Sequence, residues 1–188
     1  MADDIFSLVE RESGMRLITD SADTIDLATL SLEPFIPSSD YRVRMLHPTA
    51  DLAWITAALT PLVRSAEKRG FPAGIEAGLY EALLNAYQHG NNADAAKPLG
   101  LATRMRERDL DVVVMDAGGR IDPRFAAYVL LHRSREPVKI PDFYTFSGRE
   151  QKGTHHGVGT RLMHVYFDKV SYYRSSLGGL AVHLLKSR

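Results

Sequence analysis

The chain contains no cysteine. Disulfide frameworks, thiolate zinc clusters and cysteine nucleophiles are therefore excluded, and any bound metal would have to use oxygen or imidazole ligands. No run approaches the roughly 18 apolar residues that suggest a helical membrane span. The acidic start Met1-Ala-Asp-Asp-Ile-Phe6 lacks the basic opening of a secretory signal, so the expected location is the cytoplasm. Dense Lys/Arg runs with interleaved aromatics are also missing, which leaves direct nucleic-acid binding without support. Net charge is zero, but unevenly spread: residues 1–96 carry 7 basic and 14 acidic side chains, residues 97–188 carry 16 and 9. A basic second half would favour an anionic ligand or partner, although scattered surface charge gives the same count.

What is present is an ordinary globular composition, 45% hydrophobic and 24% charged over 188 residues. That length suits one generous domain with a core that needs no covalent staples. Residues 1–40 alternate acidic, Ser/Thr and short apolar pieces before Pro34, Pro37, Ser38 and Ser39, and read as an N-terminal extension to a domain spanning 41–188. Residues 41–46 alternate as a strand, which could also supply a homodimer contact. From Asp51, a plausible N-cap, Leu52, Ile55, Leu59, Leu62, Val63 and Ala66 recur at helical spacing, with Pro61 expected to kink or divide that helix. A second helix is expected over 75–89, burying Ile75, Leu79, Leu83 and Ala86 and stopping at Gly90. Residues 99–106 and 110–115 read as a hairpin, 160–167 as a helix, and 169–174 and 180–186 as closing strands. Between them, 122–156 shows no firm periodicity, and a segment that long is usually functional.

Three constellations carry chemistry. Glu81, Asn85 and His89 are spaced four apart on the second helix, which aligns them in one polar stripe. An amide oxygen can ligate a hard cation while the carboxylate polarises a hydroxyl, though an exposed helix side has the same spacing. Asp116 ends an apolar strand and is followed by Gly118 and Gly119, so its carboxylate would emerge beside backbone that a ligand can approach; a plain strand-to-loop turn reads the same way. Gly157-Val158-Gly159 opens a helix near Thr160, whose N–H groups make a phosphate cradle, with Lys152, His155, His156 and Arg161 nearby as counter-charges. The pair His155-His156 reads as solvated rather than metal-binding, because adjacent side chains diverge. Phe143, Tyr144 and Phe146 could meet a partner, though collapse onto the domain is the commoner fate of such a cluster.

In order along the chain, these segments resemble the ATP-binding boxes of the GHKL superfamily. Glu81-Ala-Leu-Leu-Asn85-Ala-Tyr-Gln-His89-Gly-Asn91 resembles its N box, in a form most similar to the anti-sigma-factor serine/threonine kinases; Asp116-Ala-Gly118-Gly-Arg-Ile-Asp122-Pro resembles its G1 box; Gly157-Val158-Gly159 with Thr160 resembles its G2 box. The resemblance implies a Bergerat-type α/β two-layer sandwich, with a mixed, mostly antiparallel sheet covered on one face by helices. It implies ATP with Mg2+ held by Asn85, adenine recognised by Asp116 and approached past Gly118, phosphates held by Gly157 and Gly159, and Glu81 as general base. Residues 124–156 would form the lid. A sigma factor and a small anti-anti-sigma antagonist protein are the implied partners. Arg120 stands where the G1 box often has a second glycine, which puts loop flexibility in question. The alternatives are a nucleotide-gated interaction module without phosphotransfer and a detached histidine-kinase ATPase domain; no long helix with a phospho-accepting histidine precedes the motifs in this sequence.

Overall fold

The computed structural model describes residues 4–7, 25–29, 33–134, 139–148, 150 and 157–188. A five-stranded sheet forms from β2 (Arg42–Leu46), β3 (Leu99–Met105), β4 (Asp109–Met115), β7 (Leu180–Ser187) and β6 (Lys169–Arg174), in that spatial order and antiparallel throughout. A short ladder pairs β1 (Ile25–Asp26) with β5 (Arg120–Ile121). Against one face of the large sheet lie α1 (Ala53–Lys68), α2 (Ile75–Asn85), α3 (Pro123–Ser134) and α5 (Gly159–Tyr166); α4 is the short helix Phe143–Ser147. This is the expected α/β sandwich, and its only parallel pairing among the described residues is an isolated bridge between Phe35 and Ser175.

Strand alternation decides which side chains meet the helices. Leu110, Val112 and Val114 of β4, with their cross-strand neighbours Leu101, Val182 and Leu184, join Ile55, Leu59, Ile75, Leu79 and Leu83 in one core. The opposite face buries a small cluster of Ala102, Val113, Met115 and Ala181 under Phe35, Tyr41, Tyr173 and Leu177. Helix α1 runs unbroken through Pro61, which is exposed, so the hydrogen bond it forfeits lies on the solvent side. Asp51 is not the N-cap: that position is Leu52, although the Asp51 carboxylate accepts from Ala53 N–H at 3.0 Å.

One expectation is corrected by packing. The described parts of residues 1–40 are no appendage, because Ile5, Phe6 and Leu27 are buried in the main core. The Phe6 ring meets the edges of Tyr172 at 4.9 Å and Phe125 at 6.0 Å. Asp4 pairs with Arg133 and accepts from Tyr172 N–H at 2.9 Å. Burial pushes its carboxyl up, but Arg133 and the N–H groups of Tyr172 and Ser7 outweigh that and hold it below the ordinary value. Residues 123–134, which include the start of the stretch expected as a lid from 124, form α3, with Ala126, Tyr128 and Val129 fully buried. Its apolar run from Phe125 to Leu131 is continuous rather than striped, as suits a helix enclosed by the core, so no 3.6-residue period marks it. Phe143 and Phe146 collapse onto Tyr128, at 5.3 and 5.2 Å between rings.

Helices α3 and α5 meet through stacked imidazoles, His132 and His164, with ring centroids 5.3 Å apart. The Tyr128 carbonyl lies 2.8 Å from His132 Nδ1, which must therefore carry the hydrogen, while Nε2 of both rings is buried with no hydrogen-bond partner among the described residues. Burial, then His132 and Arg133, push His164 down to about 3; burial also lowers His132. Both rings are thus neutral in the fold, whereas unfolded chains protonate below the ordinary imidazole value near 6.5. Their contribution to stability is complete above about 6.5 and is lost as pH falls from there toward 3. Wild type is expected to lose about 1.4 kcal/mol through His164 between pH 7.5 and 5.5, with a further loss through His132, relative to a His164→Phe, His132→Phe protein. Urea unfolding at the two pH values checks this, and parallel losses in both proteins would refute it.

Candidate functional site

The site is assembled at the C-terminal end of α2. Apolar positions on this helix face the core, which leaves Glu81 and Asn85, one turn apart, half-buried on its flank toward α5. Beyond Asn85 the α-helix widens into a π-turn over Ala86–Gly90, closed by Asn91 N–H to Ala86 C=O at 2.8 Å. The wider turn spoils the four-residue alignment, so His89 is not the third member of the stripe and is exposed.

Gly159, first residue of α5, faces that flank. A methyl group added to it would lie 2.5 Å from Glu81 Oε2 and 3.0 Å from Asn85 Nδ2. Glycine here lets the mouth of α5 sit directly on the acid and the amide. Gly157 turns through a positive φ of 63° before it, Val158 takes the N-cap position and Thr160 is buried. The Gly157 carbonyl accepts from Phe143 N–H at 2.9 Å, which fastens the glycine loop to α4. Lys152, His155 and His156 lie outside the described residues.

The other end of the π-turn meets Asp116. This carboxylate, 4% exposed, accepts at Oδ1 from Gly118 N–H at 2.9 Å and Leu180 N–H at 3.1 Å. Burial pushes its pKa up to about 6 against the pull of those two N–H groups and of Lys97. Three glycines make room around it. A methyl group on Gly90 would fall on the Asp116 carboxylate, one on Gly179 would fall on its Oδ1, and one on Gly118 would fall on the Gly90 carbonyl. A side chain on Gly118 is thus excluded by the N-box backbone, which fills its side-chain direction. Gly119, with φ 78°, supplies the left-handed turn, and Arg120 is already in β5 opposite Asp26. The left-handed position of this turn therefore lies one residue before Arg120.

Asn85 and Gly90 are separated by roughly 7 Å of helix axis. Each touches one of the other segments, so three stretches remote in sequence converge on one end of α2. A family model described as histidine kinase-like ATPase domain matches residues 50–186. The chain belongs to this ATPase family. The family lies within the GHKL superfamily. No curated protein matches the chain.

The surfaces of this ATPase domain fit a nucleotide's chemistry at two points. The first turn of α5 presents N–H groups that have no partner inside the helix, as phosphate oxygens require. The buried Asp116 is a directional acceptor in a place too cramped for a larger side chain. Among the described residues no three His, Asp or Glu side chains converge as a metal cage. No helix among the described residues is long and apolar enough to cross a membrane.

Residues that sequence reasoning does not single out also shape the ATPase site. Gly179 and the Leu180 N–H come from the β6–β7 turn, where paired glycines read only as a hairpin signal. Asn91 falls within the N-box resemblance without a role there, and is completely buried. Finding the first two requires knowing that β7 lies beside β4.

Proposed function

We propose that this domain binds magnesium-ATP and transfers its γ-phosphate to a serine or threonine of a small antagonist protein, so acting as an anti-sigma-type kinase that regulates a sigma factor. The observation that carries the reading is the contact of Glu81 and Asn85 with the first residue of α5. It sets an acid able to take a hydroxyl proton beside the N–H groups that would hold the phosphates. Asn85 would ligate magnesium, which supplies charge neutralisation on the phosphates when bound. Gly157, Val158, Gly159 and Thr160 would line the phosphates, and Asp116 would accept from the adenine amine. His89, exposed on the π-turn, would contact the nucleotide only from its outer side.

Calorimetric titration of ATP and magnesium into wild type, Asn85→Ala and Asp116→Asn tests the site. Asp116→Asn keeps an oxygen for Gly118 and Leu180 but loses the charge-assisted bond to the amine, so ATP affinity is expected to fall about ten- to hundredfold with the fold intact. Binding needs Asp116 ionised, and the group titrates near 6. Wild-type affinity should therefore hold above pH 7 and weaken as pH falls through 6, a dependence absent from Asp116→Asn. Equal affinity in all three proteins would reject the site.

A second reading has its own support. The glycine loop is tied to α4 through Gly157 and Phe143, so nucleotide at α5 would act on the adjoining segment and could gate a partner without phosphotransfer. Tight, magnesium-dependent ATP binding with no transfer to any candidate serine or threonine would favour it.

A further inference from the structure

Asn91 closes the N box and is completely buried, and its side chain bonds to backbone outside that box. Both amide hydrogens and one bond to the amide oxygen go to the backbone of two other segments. Nδ2 donates to the carbonyls of Lys97 and Pro98, at 3.0 and 3.2 Å, just before β3. Oδ1 accepts from Ala117 N–H at 2.8 Å, in the turn that follows Asp116.

The bond to Ala117 matters because of what is fixed on either side of it. Asp116 stands just past the end of β4 but is still tied to the neighbouring chain: its N–H donates to Leu180 C=O at 2.9 Å and its C=O accepts from Gly179 N–H at 3.1 Å. The next donor along the chain is Ala117 N–H, and the one after, Gly118 N–H, holds the Asp116 carboxylate itself. Asn91 therefore holds the N–H end of the peptide whose C=O end is held by Gly179 N–H. Without that acceptor only the Gly179 bond restrains this peptide, and the Ala117 end, next to the Gly118 N–H that orients the carboxylate, can shift.

We infer that Asn91 is a positioning residue that aims Asp116 and so sets purine selectivity at this site. This rests on the nucleotide reading above, and deepens it by naming the device that makes a buried carboxylate directional. The donor half of the Asn91 amide secures the 91–98 loop, whose Asn92 and Ala93 both have positive φ, at 58° and 55°. The acceptor half aims Asp116. The two halves are separable by substitution, because Asn91→Asp keeps an acceptor for Ala117 while losing both donors.

The test measures affinity for ATP and for ITP, in which a carbonyl replaces the 6-amino group, alongside melting temperature, in wild type, Asn91→Ala and Asn91→Asp. Wild type is expected to prefer ATP at least tenfold. In Asn91→Ala that ratio should fall threefold or more, whereas Asn91→Asp should retain it within about twofold despite a comparable loss of melting temperature. A purely structural residue would lower both affinities together and leave the ratio alone. An unchanged ratio in Asn91→Ala, or equal collapse in both variants, overturns the inference. Should Asn91→Ala not fold, Asn91→Ser takes its place, since its hydroxyl is too short to reach both sides. Wild type that binds ATP and ITP equally would overturn the inference together with the assignment of Asp116, and no binding at all would overturn the nucleotide reading itself.

Discussion

Replacing Glu81 by Gln is expected to slow phosphotransfer by about 10²- to 10⁴-fold, the usual contribution of a positioned general base, while ATP affinity stays within about threefold of wild type. The shape of the side chain survives the change and the proton acceptor does not. Glu81 lies against α5 rather than at the Asp116 end, so nucleotide recognition has no reason to suffer. A companion variant separates position from chemistry. In Gly159→Ala the added methyl meets Glu81 Oε2 at 2.5 Å, and this is the far end of a flexible side chain that can swing away. That protein should fold and retain a glutamate, yet transfer slowly because the carboxylate has moved. Radiolabelled γ-phosphate transfer to the cognate antagonist protein measures both. Glu81→Gln protein that transfers as fast as wild type would remove Glu81 from the mechanism.

The Gly118→Ala protein is expected to be destabilised by about 3 kcal/mol or more, lowering its melting temperature by about 6–12 °C. Its methyl would fall on the Gly90 carbonyl, which is backbone and cannot be displaced by a rotamer change. Nor can Gly90 withdraw, because the Asp116 carboxylate fills its own side-chain direction, and Gly179 closes the far side of that group. The cost is one of packing alone, since positive φ belongs to Gly119 and not to Gly118. Gly148→Ala is the contrasting control. It has nothing within 4 Å but a φ of 65°, so it should lose only about 1–2 kcal/mol of backbone strain. Differential scanning calorimetry decides the matter, and a Gly118→Ala melting point within about 2 °C of wild type would show that the junction is not closed as described.

Much of the architecture can be read along the chain because it is periodic. Ile75, Leu79 and Leu83 mark a helix by their spacing, and the near-continuous run 110–115 marks a strand covered on both faces; both are buried as expected. The elements that sequence reading misses lack such periods. Helix α3 is apolar nearly all round, and Ile5, Phe6, Leu8 and Val9 form one short apolar piece between acidic residues, too short to fix an element by its period. Within the site, aligning His89 with Glu81 and Asn85 assumes 3.6 residues per turn, an assumption the π-turn at Ala86–Gly90 breaks. Nothing local foretells that turn, because it follows from how Gly90 and Asn91 must seat against Asp116 and Ala117.

Sequence alone determined the fold class, the family and the order of three polar segments, since each is written in neighbours a few residues apart. Tertiary structure decided why particular residues are needed. Gly118 is glycine because of Gly90, Gly159 because of Glu81, and Asn91 is buried because of Lys97, Pro98 and Ala117. Steric exclusion and hydrogen bonding act between atoms that are close in space, and only folding makes residues 26 or more positions apart into neighbours.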